Sequence, residues 1–197
     1  MGYQLHYHEV LGENPSGFYD NTNGDGSGRP VERVSWFDTE AFCQKLSRLT
    51  GKVYRLPSEV EWEYACRAGT TTPFALGETL TTGIANFNGN FAYAGGPKCI
   101  YRKMTVAVDS FPPNAFGLYN MHGNVHEWCA DDYRDSYDGA PSDASPWLGR
   151  DAENRKILRG GSWIFDANFC RSAYRYWQAA GNRNSGIGFR VVCAFSA

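Results

Sequence analysis

One stretch of the chain distributes apolar and polar residues at the spacing of an amphipathic helix. In SWFDTEAFCQKLSRLTG, apolar side chains recur at helical intervals between Phe42 and Leu49, which predicts a helix over about residues 36–49. Ser35 is a favoured N-cap residue, and Gly51 can adopt the left-handed conformation that ends a helix. The pattern and both terminal signals therefore agree on one helix.

The next stretch, VYRLPSEVEWEYACRAGT, predicts a short strand followed by a second helix. The strand runs from Val53 to Leu56 and stops at a proline. Ser58 and Glu61 have the S-x-x-E spacing of a capping box, in which each side chain accepts a hydrogen bond from the other residue's backbone N–H. We expect this helix to bury the face formed by Trp62, Ala65 and Cys66.

Between residues 70 and 156 regular periodicity is hard to find, and segments such as NFNGNFAYAGGP are rich in turn residues and aromatic rings. Strands are predicted again at ILRGGSW (157–163) and IGFRVVCAF (187–195). The stretch between them has neither a helical nor a strand period. Loops as long as those between residues 70 and 156 are usually functional or tied down by something specific. The sequence has no internal repeat and no low-complexity tail, so we expect a single domain over residues 1–197.

Composition and charge exclude several classes of protein. Of 197 residues, 42% are hydrophobic and 20% charged, which is typical of a globular chain with its own core. The formal charge of -2 gives no overall electrostatic reason to bind nucleic acid. No apolar run is long enough to predict membrane insertion. The start, MGYQLHYHEV, lacks the features of a secretory signal, which favours the cytoplasm and otherwise leaves the compartment open.

The six cysteines stand apart, without a C-x-x-C pair, so the sequence indicates neither a zinc ribbon nor a thioredoxin motif. Their even number permits disulfides. Because no signal peptide is visible, we expect buried free thiols instead.

Five sequence blocks occur in a fixed order: RLPSEVEWEYACRAGT (55–70), FPPNAFGLYNMHGNVHEW (111–128), RGGSW (159–163), CRSAYR (170–175) and GFRVV (188–192). Together they resemble the formylglycine-generating enzyme (sulfatase-modifying factor) family, from about Asn14 to Ala197. The resemblance implies a variant of the C-type lectin fold: α+β, with two helices, short twisted antiparallel strands and long loops. Only about a dozen residues precede GENPSGF, so we expect N-terminal strands of the family to be lacking.

The family's oxidases use two cysteines after the R/K-G-G-S-aromatic motif to bind Cu(I), a soft metal that prefers sulfur ligands. By resemblance, Cys170 falls on the second of these positions and Phe165 on the first. A phenyl ring neither ligates copper nor exchanges disulfides, and no other cysteine lies between Arg159 and Cys170. We therefore expect no copper and no catalysis. The alternative is a copper-dependent oxidase of the formylglycine-generating type, or a related enzyme of this fold.

The C-terminal part, about 159–192, resembles the variable region of diversity-generating retroelement target proteins. In such systems adenines of a template are copied with errors, and AAC codons for Asn are favoured targets. Such a codon can change to Ile, Phe, Asp, Tyr, Ser, Gly or Ala but not to Trp or Gln, so the codon argument fails at Trp177 and Gln178. The candidate ligand-binding residues are Ile164, Phe165, Asp166, Asn168, Phe169, Tyr174, Tyr176, Trp177, Ala179, Asn184, Ser185 and Gly186.

These candidates mix aromatic rings with Ser, Asn, Gly and Asp, as antibody paratopes do. Rings give contact area at a low entropy cost, and small polar residues give adaptable hydrogen bonds. The resemblance therefore implies a non-catalytic protein whose segment from about 164 to 186 is a diversified surface for a ligand, which we expect to be a protein. The alternative for Phe165, Phe169 and Tyr174 is burial in the core.

The segment GLYNMHGNVHEW matches a calcium-binding segment of the family. The resemblance places ligands at the Asn120 side chain, the Gly123 and Val125 carbonyls and the Glu127 carboxylate. All are hard oxygens of the kind that Ca²⁺ prefers. The alternative is a tight turn in which the Asn and Glu side chains bond to the backbone. Calcium is the one cofactor that we expect.

Overall fold

Residues 3–19, 28–91, 93–149 and 153–194 are described by the computed structural model of the chain. Its helices are α1 (Gln4–Leu11), α2 (Trp36–Thr50) and α3 (Glu59–Arg67), with a 3₁₀ helix at Ala167–Cys170. Its strands are β1 (Val53–Arg55), β2 (His126–Asp132), β3 (Arg155–Arg159), β4 (Tyr176–Ala179), β5 (Ile187–Phe189) and β6 (Val192–Ala194). Among the described residues, none of the helices has the length and apolar character that spanning a bilayer requires.

Helices α2 and α3 confirm the two predicted helices, and capping boxes fix where each begins. The Ser35 hydroxyl accepts a hydrogen bond from the Asp38 backbone, and the Asp38 carboxylate accepts one from the Ser35 backbone. Ser58 and Glu61 form the same reciprocal pair, as the S-x-x-E spacing predicts. Gly51 ends α2 in the left-handed conformation, at φ 72°.

Helix α1 corrects the expectation of two helices. Its N-cap residue Tyr3 makes no side-chain capping bond, so the local sequence gives little sign of a helix. Tertiary contacts hold it instead: Tyr7 stacks on Phe42 of α2 with ring centroids 5.5 Å apart, and Val10 is buried.

The larger sheet has four strands in the order β4-β3-β2-β5, and β1 pairs with β6 in a separate two-stranded sheet. The pairs β1–β6, β2–β3 and β3–β4 are antiparallel as expected, but β2 and β5 run parallel. The strand predicted at 187–195 is in fact two strands, since β5 joins the large sheet and β6 the small one. The strand predicted at 157–163 ends earlier, at Arg159, where two glycines with positive φ follow.

Two clusters of buried side chains hold the helices to the large sheet. Trp128 of β2 and Phe189 of β5 are fully buried in the cluster that includes α1 and α2. Trp62 and Cys66 of α3 are buried in a second cluster with residues of β2 and β3. The predicted buried face of α3 is therefore confirmed for Trp62 and Cys66, whereas Ala65 is only partly buried.

Candidate binding site

The segment 164–186, hereafter the variable segment, is not one irregular loop. It contains the 3₁₀ helix at Ala167–Cys170 and strand β4, neither of which the sequence pattern predicts. Strand β4 pairs with β3 in antiparallel register, with Tyr176 opposite Leu158, and forms one edge of the large sheet. The variable segment is thus built directly onto a strand that lies outside it.

Four rings of the variable segment form a contiguous aromatic face, made of Phe165, Phe169, Tyr174 and Tyr176. Ring centroids are 4.9 Å apart for Phe165–Phe169, 5.0 Å for Phe169–Tyr174 and 5.7 Å for Phe165–Tyr176. All four side chains are half-buried, so they contact one another and still reach solvent. None of the four is fully enclosed in the core.

Beneath the aromatic face lies His126, which was not predicted as part of the site. Its ring packs at 5.2 Å on Tyr176 and at 5.1 Å against Phe165. The imidazole is buried, and within the described residues neither ring nitrogen makes a hydrogen bond. Burial disfavours the charged imidazolium and lowers its pKa, whereas the nearby Arg159 backbone group raises it. The effect of burial is larger, so the pKa of His126 falls to about 4. The floor of the aromatic face is therefore a neutral imidazole.

Side-chain alternation along β4 divides the predicted site residues between two sides of the strand. Tyr176 points to the aromatic face, and Trp177 points away from it, as successive residues of a strand do. There Trp177 contacts Tyr133 at 5.6 Å and Arg155 at 5.0 Å. Ala179, two residues further on, shares that side of the strand. The structure therefore does not bring Trp177 and Ala179 together with the aromatic face.

The other predicted residues border the aromatic face or support it. Ile164 and Asn168 are exposed, and Asp166 caps the 3₁₀ helix by accepting a hydrogen bond from the Asn168 backbone at 2.8 Å. The Asn184 side chain accepts one from the Gly186 backbone at 2.9 Å. Gly186 itself is buried, so it shapes the turn and offers almost no surface to a ligand.

One buried arginine holds the backbone of the variable segment. The Arg159 guanidinium donates hydrogen bonds to the carbonyls of Ser172 (2.8 Å), Ala173 (3.3 Å) and Tyr174 (2.8 Å). It is fully buried, and it also donates to the carboxylate of Glu63 on α3. The three carbonyl contacts end on main-chain atoms, so they do not depend on which side chains stand at these positions.

Glu59 of α3 fixes the position of Arg175, which lies within the variable segment. Its carboxylate accepts two hydrogen bonds from Arg175, at 2.6 and 2.8 Å, and lies 3.4 Å from the Arg159 guanidinium. The Tyr137 ring covers Arg175 at 4.3 Å. A bidentate, mostly buried pair of this kind constrains geometry far more than an exposed ion pair. Helix α3 thus sets the position of the chain around residue 175.

Residues outside the variable segment also bind its carbonyls at two other places. The Asn88 backbone donates to the Phe165 carbonyl at 2.9 Å. Trp163 Nε1 donates to the Ser185 carbonyl at 2.9 Å. The backbone of the variable segment is therefore held from outside near its start, its middle and its end.

Cys170 is a buried thiol. Its side chain has no exposed surface, and Sγ lies 3.6 Å from the Asp166 carbonyl oxygen. Burial raises the pKa of the thiol, which disfavours the thiolate that copper binding and disulfide exchange require. All six cysteines are free. This confirms the prediction of free thiols, although Cys99 and Cys193 are only partly buried.

The segment predicted to bind calcium is buried around Asn120 and Glu127. Asn120 has φ 51°, its Nδ2 donates to the Val108 carbonyl, and its Oδ1 has no hydrogen-bond partner in the described part of the chain. The Glu127 carboxylate accepts one hydrogen bond from Trp62 and two from Arg190. Three of the roughly four lone-pair positions of the carboxylate are therefore occupied, and its charge is paired with Arg190. The unpartnered Asn120 oxygen is the observation at this segment that suits a cation.

These features define a class of protein: an α+β chain of C-type-lectin-like architecture, with an aromatic face on a segment held by its scaffold. The chain matches the sulfatase-modifying factor enzyme 1-like domain over residues 2–195, and it belongs to that family. It is 35% identical over 179 residues to the formylglycine-generating enzyme of Mus musculus, covering 84% of this chain and 44% of that protein. The chain thus spans less than half of that relative's length.

Two solved structures are similar to nearly the whole chain. PvdO from Pseudomonas aeruginosa has a TM-score of 0.77 at 35% sequence identity, covering 96% of this chain and 75% of that chain. Treponema denticola variable protein 1 has a TM-score of 0.78 at 28% identity, covering 98% of this chain and 81% of that chain. These likenesses confirm the predicted family and fold, and they agree with the predicted relation to variable proteins.

Proposed function

We propose that the chain is a non-catalytic ligand-binding protein whose variable segment is an exchangeable contact surface. The observation that carries the proposal is the way in which the segment is held. Arg159, Asn88 and Trp163 bind its carbonyl groups from outside. Because these bonds end on main-chain atoms, side chains can change while the backbone keeps its position. Diversification requires that the residues that hold the backbone differ from the side chains that contact the ligand.

The aromatic face supplies the chemistry of contact. Its half-buried rings offer apolar area, and the exposed side chains of Ile164 and Asn168 extend it. Aromatic anchors commonly dominate the affinity of protein interfaces, and small polar neighbours add specificity. A protein interface of ordinary size buries about 800 Å² per partner, so the aromatic face would bind together with the residues around it. We therefore propose a protein as the ligand.

The likeness to a protein named for its variability supports diversification by a retroelement. The DNA beside the gene tests this. We expect a near-identical repeat of the region encoding the variable segment, differing chiefly where the repeat has adenines, next to a reverse transcriptase gene. A locus without such a repeat would contradict diversification.

A second candidate function is copper-dependent oxidation of the formylglycine-generating type, favoured by the 35% identity to the mouse enzyme. Against it, Cys170 is fully buried, and Phe165 stands where the resemblance places the other cysteine. We expect no Cu(I) binding and no oxygen-dependent turnover of a cysteine-containing peptide. Copper-dependent turnover would overturn the proposed binding role.

We also propose calcium as a structural cofactor. The Asn120 side chain, the Gly123 and Val125 carbonyls and the Glu127 carboxylate would hold it through hard oxygens. The unpartnered Oδ1 of buried Asn120 supports this assignment. Bound calcium would stabilise the turn that leads into β2, and with it the position of His126 below the aromatic face.

A further inference from the structure

We propose that the binding surface continues from the variable segment onto a flanking loop outside it, of which residues 88–91 and 93–104 are described. We propose further that this flanking loop selects protein partners whose contact face is acidic around an apolar centre. The inference rests on the proposed function, because the partner is the one bound by the aromatic face. The flanking loop would be the constant part of a surface that is otherwise exchangeable.

The flanking loop is attached to the variable segment by hydrogen bonds and by ring stacking. The Asn88 backbone donates to the Phe165 carbonyl at 2.9 Å, and the Asn88 side chain donates to the Ile164 carbonyl at 3.5 Å. Tyr101 stacks on Trp163 with ring centroids 6.2 Å apart, and Trp163 directly precedes Ile164. The flanking loop and the aromatic face are therefore neighbouring parts of one surface.

The flanking loop exposes large apolar side chains. Ile100 is 64% exposed, Phe91 60% and Met104 43%. Single exposed apolar residues are common on protein surfaces, and we assign these three to the binding surface because their loop adjoins the aromatic face. The backbone of the loop packs closely where Gly89 meets Ile100, because a Cβ on Gly89 would lie 2.5 Å from the Ile100 carbonyl oxygen. This contact holds Ile100 in place, which lowers the entropy cost of presenting its side chain.

The flanking loop is basic, whereas the whole chain carries a net charge of -2. No Asp or Glu occurs from residue 79 to residue 108, and the loop contains Lys98, Arg102 and Lys103. Arg102 donates to the Thr82 carbonyl, while Lys98 and Lys103 are exposed. Like charges across an interface are costly and opposite charges favour association. A partner with carboxylates around an apolar centre matches this pattern.

The test pans a random peptide library displayed on phage against the immobilised 197-residue chain at low ionic strength. We expect the enriched peptides to carry Asp or Glu around an aliphatic or aromatic residue. The double change Lys98→Glu/Lys103→Glu should weaken their binding by about tenfold, and added salt should weaken binding to the unaltered chain. The matched control Lys45→Glu/Lys52→Glu changes exposed lysines outside this surface. It alters the net charge equally and should change affinity by less than about twofold.

Enrichment of peptides without net negative charge would overturn the inference. So would peptide binding that the Lys98→Glu/Lys103→Glu change leaves unaltered. If, in that case, Phe165→Ala and Tyr176→Ala still abolish binding, the proposed function stands and only the role of the flanking loop is lost. If the two ring variants leave binding unchanged, the aromatic face is not the contact surface, and both proposals fail.

Discussion

The Sγ atom of Cys170 lies 2.5 Å from the point that a Cβ atom on Gly161 would occupy. The Phe169 carbonyl oxygen lies 2.9 Å from the same point. Gly161 also has φ 73°, a conformation that strains residues with a side chain. The second glycine of the RGGSW block therefore allows the 3₁₀ helix to pack directly against the chain that leaves β3.

Replacing this glycine should destabilise the protein. Gly161→Ala is expected to lower the free energy of unfolding by about 2–4 kcal/mol, because the methyl group adds both backbone strain and steric overlap. Urea unfolding measures the change. Gly181→Ala is the matched control, since no atom lies within 4 Å of a Cβ there, and it should cost less than about 0.5 kcal/mol. Equal losses at both positions would contradict the packing argument.

Removing the buried guanidinium should release the variable segment from its support. Arg159→Met is expected to cost about 3–5 kcal/mol of unfolding free energy, because Glu59 and Glu63 lose a buried partner. Arg183→Met removes an exposed ion pair with Asp38 and should cost less than about 1 kcal/mol. Both values come from the same urea titration. If the two variants are equally stable, Arg159 does not organise the segment.

The parts of the fold that the sequence predicts are those with local signals. Ser58 and Glu61 lie three positions apart, and their capping box is visible without any other residue. Strand β2 is different, because HEWCADD is polar and yet mostly buried. Its Glu127 is paired with Arg190, and its Asp132 lies 2.6 Å from Lys156. Such charges can be buried only through partners far along the chain, which no local pattern shows.

The candidate site is likewise predictable from the sequence only in part. Residue types and the family resemblance are sufficient to predict a group of rings in the variable segment. The pairing of β4 with β3 decides that Trp177 points away from Tyr176, and the position of β2 places His126 beneath the rings. The set of side chains can be read from the sequence, whereas the side on which each one lies depends on strand pairing.

The aromatic face should tolerate substitutions that the core does not. Phe169→Ser and Tyr174→Ser are each expected to cost less than about 1.5 kcal/mol, because both rings are half-buried and their backbone is held independently. The same change at fully buried Phe74 should cost about 3–5 kcal/mol. Thermal melting of the three variants compares them. Similar losses at all three positions would identify the rings as core residues.

Calcium should raise the melting temperature of the protein through Asn120. A ligand that binds only the folded state stabilises it by mass action, so excess Ca²⁺ added to chelator-treated protein should increase Tm by several degrees. Asn120→Ala should abolish the increase. Asn90→Ala, at an exposed position, should retain it. An increase that survives Asn120→Ala would place the bound ion elsewhere.

Stability should fall as the pH drops below about 6.5, because two buried histidines resist protonation. Burial lowers the pKa of His122 and of His126 to about 4, whereas an unfolded histidine titrates near 6.5. Between these values the unfolded chain binds protons and the folded chain does not. The free energy of unfolding is therefore greatest above pH 6.5 and decreases towards pH 4. The shift at His126 alone corresponds to about 3 kcal/mol.

Urea midpoints at about pH 7 and about pH 4.5 measure this decrease. His126→Leu should make it smaller, because an apolar side chain of similar size has no proton to exclude. His8→Asn changes an exposed histidine on α1 and should leave it unaltered. If the His126→Leu variant keeps the full decrease, the imidazole already takes up protons in the folded state. The rings of Phe165 and Tyr176 would then lie over a charged or hydrated group, and the aromatic face would lack its neutral floor.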